Sequence, residues 1–354
     1  VERLCDRPRE CSPISFIGVP LASCELCHSV DQFVFLFNIK LMPEDVCTVI
    51  PNHVYVVDTK FLRDKMCGVT IIRDGEEAIL VEAGSTISVP HTLNALKELG
   101  IDCNNVKYMF ITHAHLDHSG GTGLILRSLP NCTVVAHPAA APHIIDPHDK
   151  LVPAAIQVYG EQVFNQDYPG IVGMPADRMI SAENGSVYGA ASSLLKLRVI
   201  HAHGHAFHHA VFYSEALKIL FAGDGLGFSF SEINFCPLLC TTPTQFDATA
   251  WRKTVDIVSK LDVDYLIATH FDCAEKNSLQ RRWDCILRQL DDYEALIAAS
   301  KGRDEVKSKY MGIIQKYLDE YDVKLSSERV YALIYGDINV DGLWYRVQRN
   351  LAKA

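Results

Sequence analysis

The segment Thr112-His113-Ala114-His115-Leu116-Asp117-His118-Ser119-Gly120-Gly121 sets three imidazoles and a carboxylate within six positions. It follows Val106–Ile111 (VKYMFI), an apolar run that reads as a buried strand. A strand that runs into a polar, glycine-rich turn is where a layered α/β chain presents chemistry. Histidines two apart on an extended segment, then Asp-His, aim at two neighbouring points. That geometry suits a pair of metal ions better than one. Histidine and carboxylate groups are typical ligands of first-row metals, and this density of them exceeds what an ordinary solvated turn carries.

The 354 residues are 48% hydrophobic and 21% charged, an ordinary globular balance with ample material for a core. The net charge of −10 argues against a nucleic-acid surface, which shows a basic footprint. The longest apolar run, residues 33–42 (FVFLFNIKLM), is interrupted by Asn38 and Lys40 and reads as a strand rather than a membrane span. No charged-apolar-small pattern opens the chain, so the expected location is cytoplasmic. The twelve cysteines are scattered through a large protein, which suits reduced cytosolic thiols rather than a disulfide framework. Cys24-Glu25-Leu26-Cys27, with Cys5 and Cys11 upstream, is only a loose match to a structural zinc site.

Three regions follow from the patterning. Residues 1–53, with prolines, cysteines and little periodicity, read as an N-terminal extension. Residues 54–276 read as the domain that carries the ligand-rich segment, and residues 277–354 as a charged, mostly helical region packing on that core. Strands are expected at 54–57, 69–72 and 78–81, then at 106–111 and 132–136. A second meander is expected at 186–188, 195–200, 210–213 and 218–221, followed by a buried strand at 265–268. Helices are expected at 91–98, 123–129 and 249–261, and across most of 277–325. Residues 336–340 read as a turn before a short terminal helix at 343–351. The stretch 138–180, rich in Pro, Ala, His and Asp, reads as a helical excursion over the sheet, the usual place for a substrate lid. Two meanders with helices suggest two sheets stacked between helical layers.

Three further ligand candidates each stand just beyond an expected strand: His205, Asp224 and His270. Alone, each has a plainer reading as a buried strand-end histidine or a turn aspartate. The first of them lies in a crowd, His201, His203, His205, His208 and His209, and histidines two apart on a strand share a face. His203 and His205 are therefore both able to point inward on this reading.

The ordered set HxHxDH, GH, GD, TH resembles that of the metallo-β-lactamase-fold hydrolases over roughly residues 54–273. The resemblance implies an α+β, αββα sandwich of two mixed β-sheets flanked by helices. It also implies that His113, His115 and His205 hold one divalent metal and that Asp117, His118 and His270 hold a second, with Asp224 bridging. Of the crowded histidines, the family's Gly-His ligand corresponds to His205. Glu82 stands where many relatives have a buried Asp before a glycine, and would orient ligands by hydrogen bonds. His208 and His209 are candidates for helping a substrate or for packing.

On this resemblance the reaction is a hydrolysis by a metal-bridging hydroxide, with Asp117 orienting the nucleophile and passing a proton to the leaving group. Two ions, zinc or iron, are implied. Asp224 where one β-lactamase subclass carries cysteine argues against antibiotics as the native substrate. Ala114 breaks the THHHxDH of glyoxalase II, Gly227 stands where lactone-opening relatives place a tyrosine, and the acidic chain offers no exosite for tRNA. His143-Ile144-Ile145-Asp146-Pro147, His208-His209 and Thr269-His270-Phe271 resemble a branch close to glyoxalase II-like hydrolases, which implies a small ester or thioester. A redox member with a single iron, of the persulfide dioxygenase kind, is the alternative. The expected partners are a small-molecule substrate and a second copy of the chain, with no nucleic acid and no membrane.

Overall fold

A computed structural model describes residues 44–353. The strand expected within 33–42 and the Cys5, Cys11, Cys24 and Cys27 group lie outside the described residues. One sheet has seven strands: β1 (Val46–Ile50), β2 (Val54–Asp58), β3 (Gly68–Asp74), β4 (Glu77–Val81), β5 (Val106–Ile111), β6 (Thr133–Ala136) and β7 (Met179–Ser181), in that spatial order. β1 to β4 pair antiparallel, while β4 to β7 pair parallel. The other sheet runs β13 (Asp272–Glu275), β12 (Tyr265–Ala268), β11 (Ile219–Gly223), β10 (Ala210–Ser214), β9 (Lys196–His201) and β8 (Val187–Gly189). Only β11 and β12 are parallel there.

Side chains alternate across a strand, so a strand buried on both faces divides its apolar residues between two cores. Val54, Val56, Ile79, Val81, Phe110 and Val135 of the first sheet share a core with Val199, Phe212, Phe221 and Ile267 of the second. Phe110 and Phe212 meet edge to face at 5.2 Å. The opposite faces serve the helices. Tyr55, Val57, Leu80, Met109 and Ile111 pack with the helix Val89–Glu98, and Val211, Tyr213, Leu220 and Leu266 pack with the helix Ala248–Val258 and the C-terminal helices. The result is helix, sheet, sheet, helix, the αββα sandwich expected.

Three strands escape the sequence reading. β1 joins the sheet from inside the segment 1–53, and β7 and β13 are short edge strands with little apolar pattern. The helix expected at 123–129 is only Thr122–Ile125, because the chain turns at Arg127 and Ser128 before Pro130. Residues 336–340 are no turn. A single helix, Gly336–Leu351, begins there, entered through Tyr335 at φ 53°. The 138–180 excursion contains the helices Ala141–Ile145, Leu151–Tyr159 and Glu161–Asp167. The long helices Lys276–Ala299 and Arg303–Glu320 bury Trp283, Tyr293, Tyr310 and Tyr317 in the same core as the second sheet's outer face. None of the eight cysteines among the described residues is in a disulfide, and no described helix is long and apolar enough to cross a membrane.

Candidate metal centre

At one end of the sandwich the strands deliver their last residues to a common point. Glu82 follows β4, His113 lies two residues beyond β5, Asp224 follows β11 and His270 lies two residues beyond β12. Backbone bonds from Ala210 N–H to Thr112 O (2.8 Å) and from Gly68 N–H to Thr269 O (2.7 Å) tie the sheets together beside these ligand candidates. Two glycines are required by close approach. A Cβ on Gly204 (φ 138°) would come within 2.5 Å of Trp251, and one on Gly223 (φ 51°) within 2.6 Å of Thr112 Oγ1. The Gly-His and Gly-Asp pairs are thus steric requirements of the site.

All seven residues expected as ligands are brought together, in two groups. His113 Nε2 and His205 Nε2 lie 3.0 and 3.1 Å from His115 Nδ1, so three ring nitrogens face one point. His205 Nδ1 donates to Cys240 O (2.9 Å), leaving its Nε2 lone pair free to face that point. Thr112 Oγ1 donates to Glu82 (2.5 Å) and so accepts from His113 Nδ1 (3.0 Å), which fixes the same tautomer in His113. The second group is His118, His270, Asp117 and Asp224. His118 Nε2 and His270 Nε2 stand 3.3 and 3.2 Å from Asp224 Oδ1, and 3.5 and 3.7 Å from Asp117 Oδ2. Asp224 Oδ2 is 3.5 Å from His205 Nε2, so one carboxylate faces both groups.

Burial and the neighbouring imidazoles hold His113 and His115 well below the ordinary histidine range, and burial also lowers His205. Their lone pairs are therefore available at neutral pH. Burial opposes a proton on His118, but Asp117, Asp224 and Glu82 outweigh it and push that ring up. Burial likewise opposes charge on Asp224, and His118 and His270 overcome it, holding the carboxyl well below its usual range. His118 Nε2 and Asp224 Oδ1 are buried without a hydrogen-bond partner, although they face one another. Buried polar atoms left unpaired are costly, and a cation between them removes that cost. The donor set and its orphaned atoms fit divalent metal ions.

Glu82 lies beneath the centre as a hub. Its carboxylate accepts from Thr112 N (3.2 Å), Thr112 Oγ1, Thr269 Oγ1 (3.0 Å) and His118 Nδ1 (3.0 Å). It holds φ 72°, a left-handed conformation uncommon outside glycine, which the surrounding bonds enforce. Replacing it by Gln should leave the fold intact and weaken metal retention about 10- to 100-fold, as is usual when a ligand's supporting group is lost. Competition with a chromophoric chelator measures this; unchanged retention would show that His118 needs no such support.

His209 Nε2 accepts from Asp224 N–H (3.2 Å) behind the centre, and His208 Nδ1 accepts from Ala114 N–H (3.3 Å), its ring 5.7 Å from that of His115. His203 does not share the inward face with His205. β9 ends at His201, and the turn at Gly204 breaks the alternation that would align them. Sequence reading also missed Cys67. Burial and Asp117 push its thiol well up, and it donates to Asp117 Oδ2 at 3.8 Å. Nothing in its neighbourhood in sequence announces that role.

The description "Metallo-beta-lactamase superfamily" matches residues 62–270. A hydroxyacylglutathione hydrolase from Tolumonas auensis is 27% identical over 156 residues, which is 44% of this chain and 45% of that protein, so the match spans under half of the relative's length. An archaeal metallo-beta-lactamase superfamily protein from Sulfolobus tokodaii superposes with TM-score 0.57 at 17% identity, covering 82% of this chain and 98% of its own. A metallo-beta-lactamase family protein from Thermus thermophilus gives TM-score 0.57 at 18% identity, covering 86% and 96%. These two share the fold. With the family match extending over more than half of its residues, the chain belongs to the metallo-beta-lactamase superfamily.

Proposed function

We propose that this metal-dependent hydrolase holds two divalent cations, zinc by preference, and cleaves a small ester or thioester. The observation that carries the reading is Asp224, whose two oxygens face two separate nitrogen-rich groups, His113/His115/His205 and His118/His270 with Asp117. Cations held by these residues would supply Lewis acidity, lowering the pKa of a bound water toward neutrality and polarising the electrophile's oxygen.

The chain's own residues then have distinct tasks. Thr112, Cys240, Glu82 and Met66 each accept a hydrogen bond from the Nδ1–H of the histidine they face, so that the opposite nitrogens converge. Asp117 is partly exposed, its side chain 18% accessible, whereas Asp224 is closed in at 6%. Asp117 Oδ2 is turned toward His118 and His270, which leaves Oδ1 to take the proton of the attacking water and return it to the leaving group. Burial first, and then the charge of Asp117, push the Tyr159 phenol up. Tyr159 belongs to the helix Leu151–Tyr159 of the 138–180 excursion, the segment this reading assigns to the substrate. Partial similarity to an acylglutathione hydrolase supports a thioester.

Metal analysis of protein purified without added metal, followed by a panel of thioesters and lactones, tests this. Two retained equivalents of zinc, with thioester turnover abolished by chelation and restored by zinc, is the expected result. One iron with persulfide-dependent oxygen uptake would replace this reading with the redox alternative.

A further inference from the structure

A second histidine trio lies apart from the centre. His137 follows β6 of the seven-stranded sheet, His201 closes β9 of the other sheet, and His203 lies in the turn after it. One ring nitrogen from each is within 4.8 Å of the other two. The Nε2 atoms of His137 and His203 are 3.1 Å apart. That equals the spacing of the paired nitrogens in the His113, His115 and His205 group, 3.0 and 3.1 Å. We propose that His137, His201 and His203 form a third cation site, partly open to solvent, which clips the ends of the two sheets together.

The chemistry of the donors selects the ion. An all-imidazole set suits Zn2+, Ni2+ or Cu2+ and discriminates against Mg2+ and Ca2+, which want oxygen. Burial, then His201 and His203, hold His137 down to about 4, so its ring is neutral at physiological pH. His201 Nε2 donates to Ala182 O at 2.9 Å, which fixes that ring and leaves its Nδ1 as a lone pair. Ala139 N–H points at His137 Nδ1 at 3.0 Å, so without a cation the His137 proton sits on Nε2 and is shared toward His203. Capture of a cation moves that proton to Nδ1 and gives up the Ala139 bond. This site therefore binds more weakly than the main centre, empties on dialysis and refills on titration.

The test is a zinc titration of the whole protein after chelator treatment, read by equilibrium dialysis, for the wild type, His137→Gln and His201→Gln. The wild type takes up one equivalent more than either variant, and both variants keep wild-type hydrolysis, which also shows that they fold. Zinc beyond that needed for activity raises the melting temperature of the wild type and not of the variants. Equal uptake by all three proteins would overturn the site and leave His137 and His203 as a hydrogen-bonded pair. Because the readout is a difference, it stands whether the main centre takes one ion or two. If His137→Gln does not fold, the comparison with His201→Gln decides it.

Discussion

Asp117→Asn folds with the melting temperature of the wild type and loses about 10²- to 10⁴-fold in kcat, the range by which a positioned proton acceptor contributes. Asn is isosteric, and the side chain is partly exposed, so neither a cavity nor a buried unpaired charge is created. The amide keeps a carbonyl oxygen toward His118 and His270 but cannot accept the proton that the proposed mechanism passes to Oδ1. Measuring kcat at saturating zinc separates this from any loss of metal affinity, and metal content is followed in parallel. A KM change with kcat untouched would place Asp117 in binding rather than proton transfer. Wild-type turnover would remove it from the mechanism. Asp224→Asn makes the informative contrast, because that carboxylate faces both groups and its loss should deplete metal before it slows chemistry.

The site was more legible than the fold around it, for a physical reason. Ligand chemistry restricts residue types at each position, so His113, His115, Asp117, His118, His205, Asp224 and His270 stand out from the sequence, and the structure brings all seven together. The interior strands β2 to β5 and β9 to β12 were visible because each is buried on one or both faces and reads as a β-branched, apolar run. β7 and β13 are three and four residues long at sheet edges, where pairing decides the conformation and composition says little. Backbone acceptors left no trace either. Cys240 O and Met66 O fix two ligand tautomers, and any residue type supplies a carbonyl. Spacing alone left His203 able to point inward with His205, and the Gly-His resemblance singled out His205; the turn at Gly204 gives the physical reason. That turn sends His205 to the centre and leaves the other two facing His137.

Arg282→Ala should cost about 3–5 kcal/mol, the usual penalty for breaking a buried ion pair from one side. Arg282, on the helix Lys276–Ala299, is 4% exposed and donates to Asp272, with Ser229 Oγ (2.9 Å) completing the group. Asp272 is 2% exposed and opens β13, two residues past His270. The alanine leaves that carboxylate buried with Ser229 as its remaining side-chain partner. Against a typical total stability of about 5–15 kcal/mol, such a loss is large enough to read directly by urea or guanidinium unfolding. Arg288→Ala, on the same helix, is the control. Its pair with Glu320 is well exposed, and its loss should stay within about 1 kcal/mol. Replacing Arg282 and Asp272 together by Met and Leu removes both charges and should recover most of the stability, since the cost lies in the orphaned carboxylate rather than in a strong net attraction. The coupling to function follows from position. Asp272 anchors the turn that carries His270, with Phe271 at φ 59°, so Arg282→Ala should also weaken metal retention at the His118 and His270 group while the double variant restores it. An Arg282→Ala protein as stable as the wild type would mean that water compensates Asp272, and that the helix Lys276–Ala299 is held by its apolar face alone.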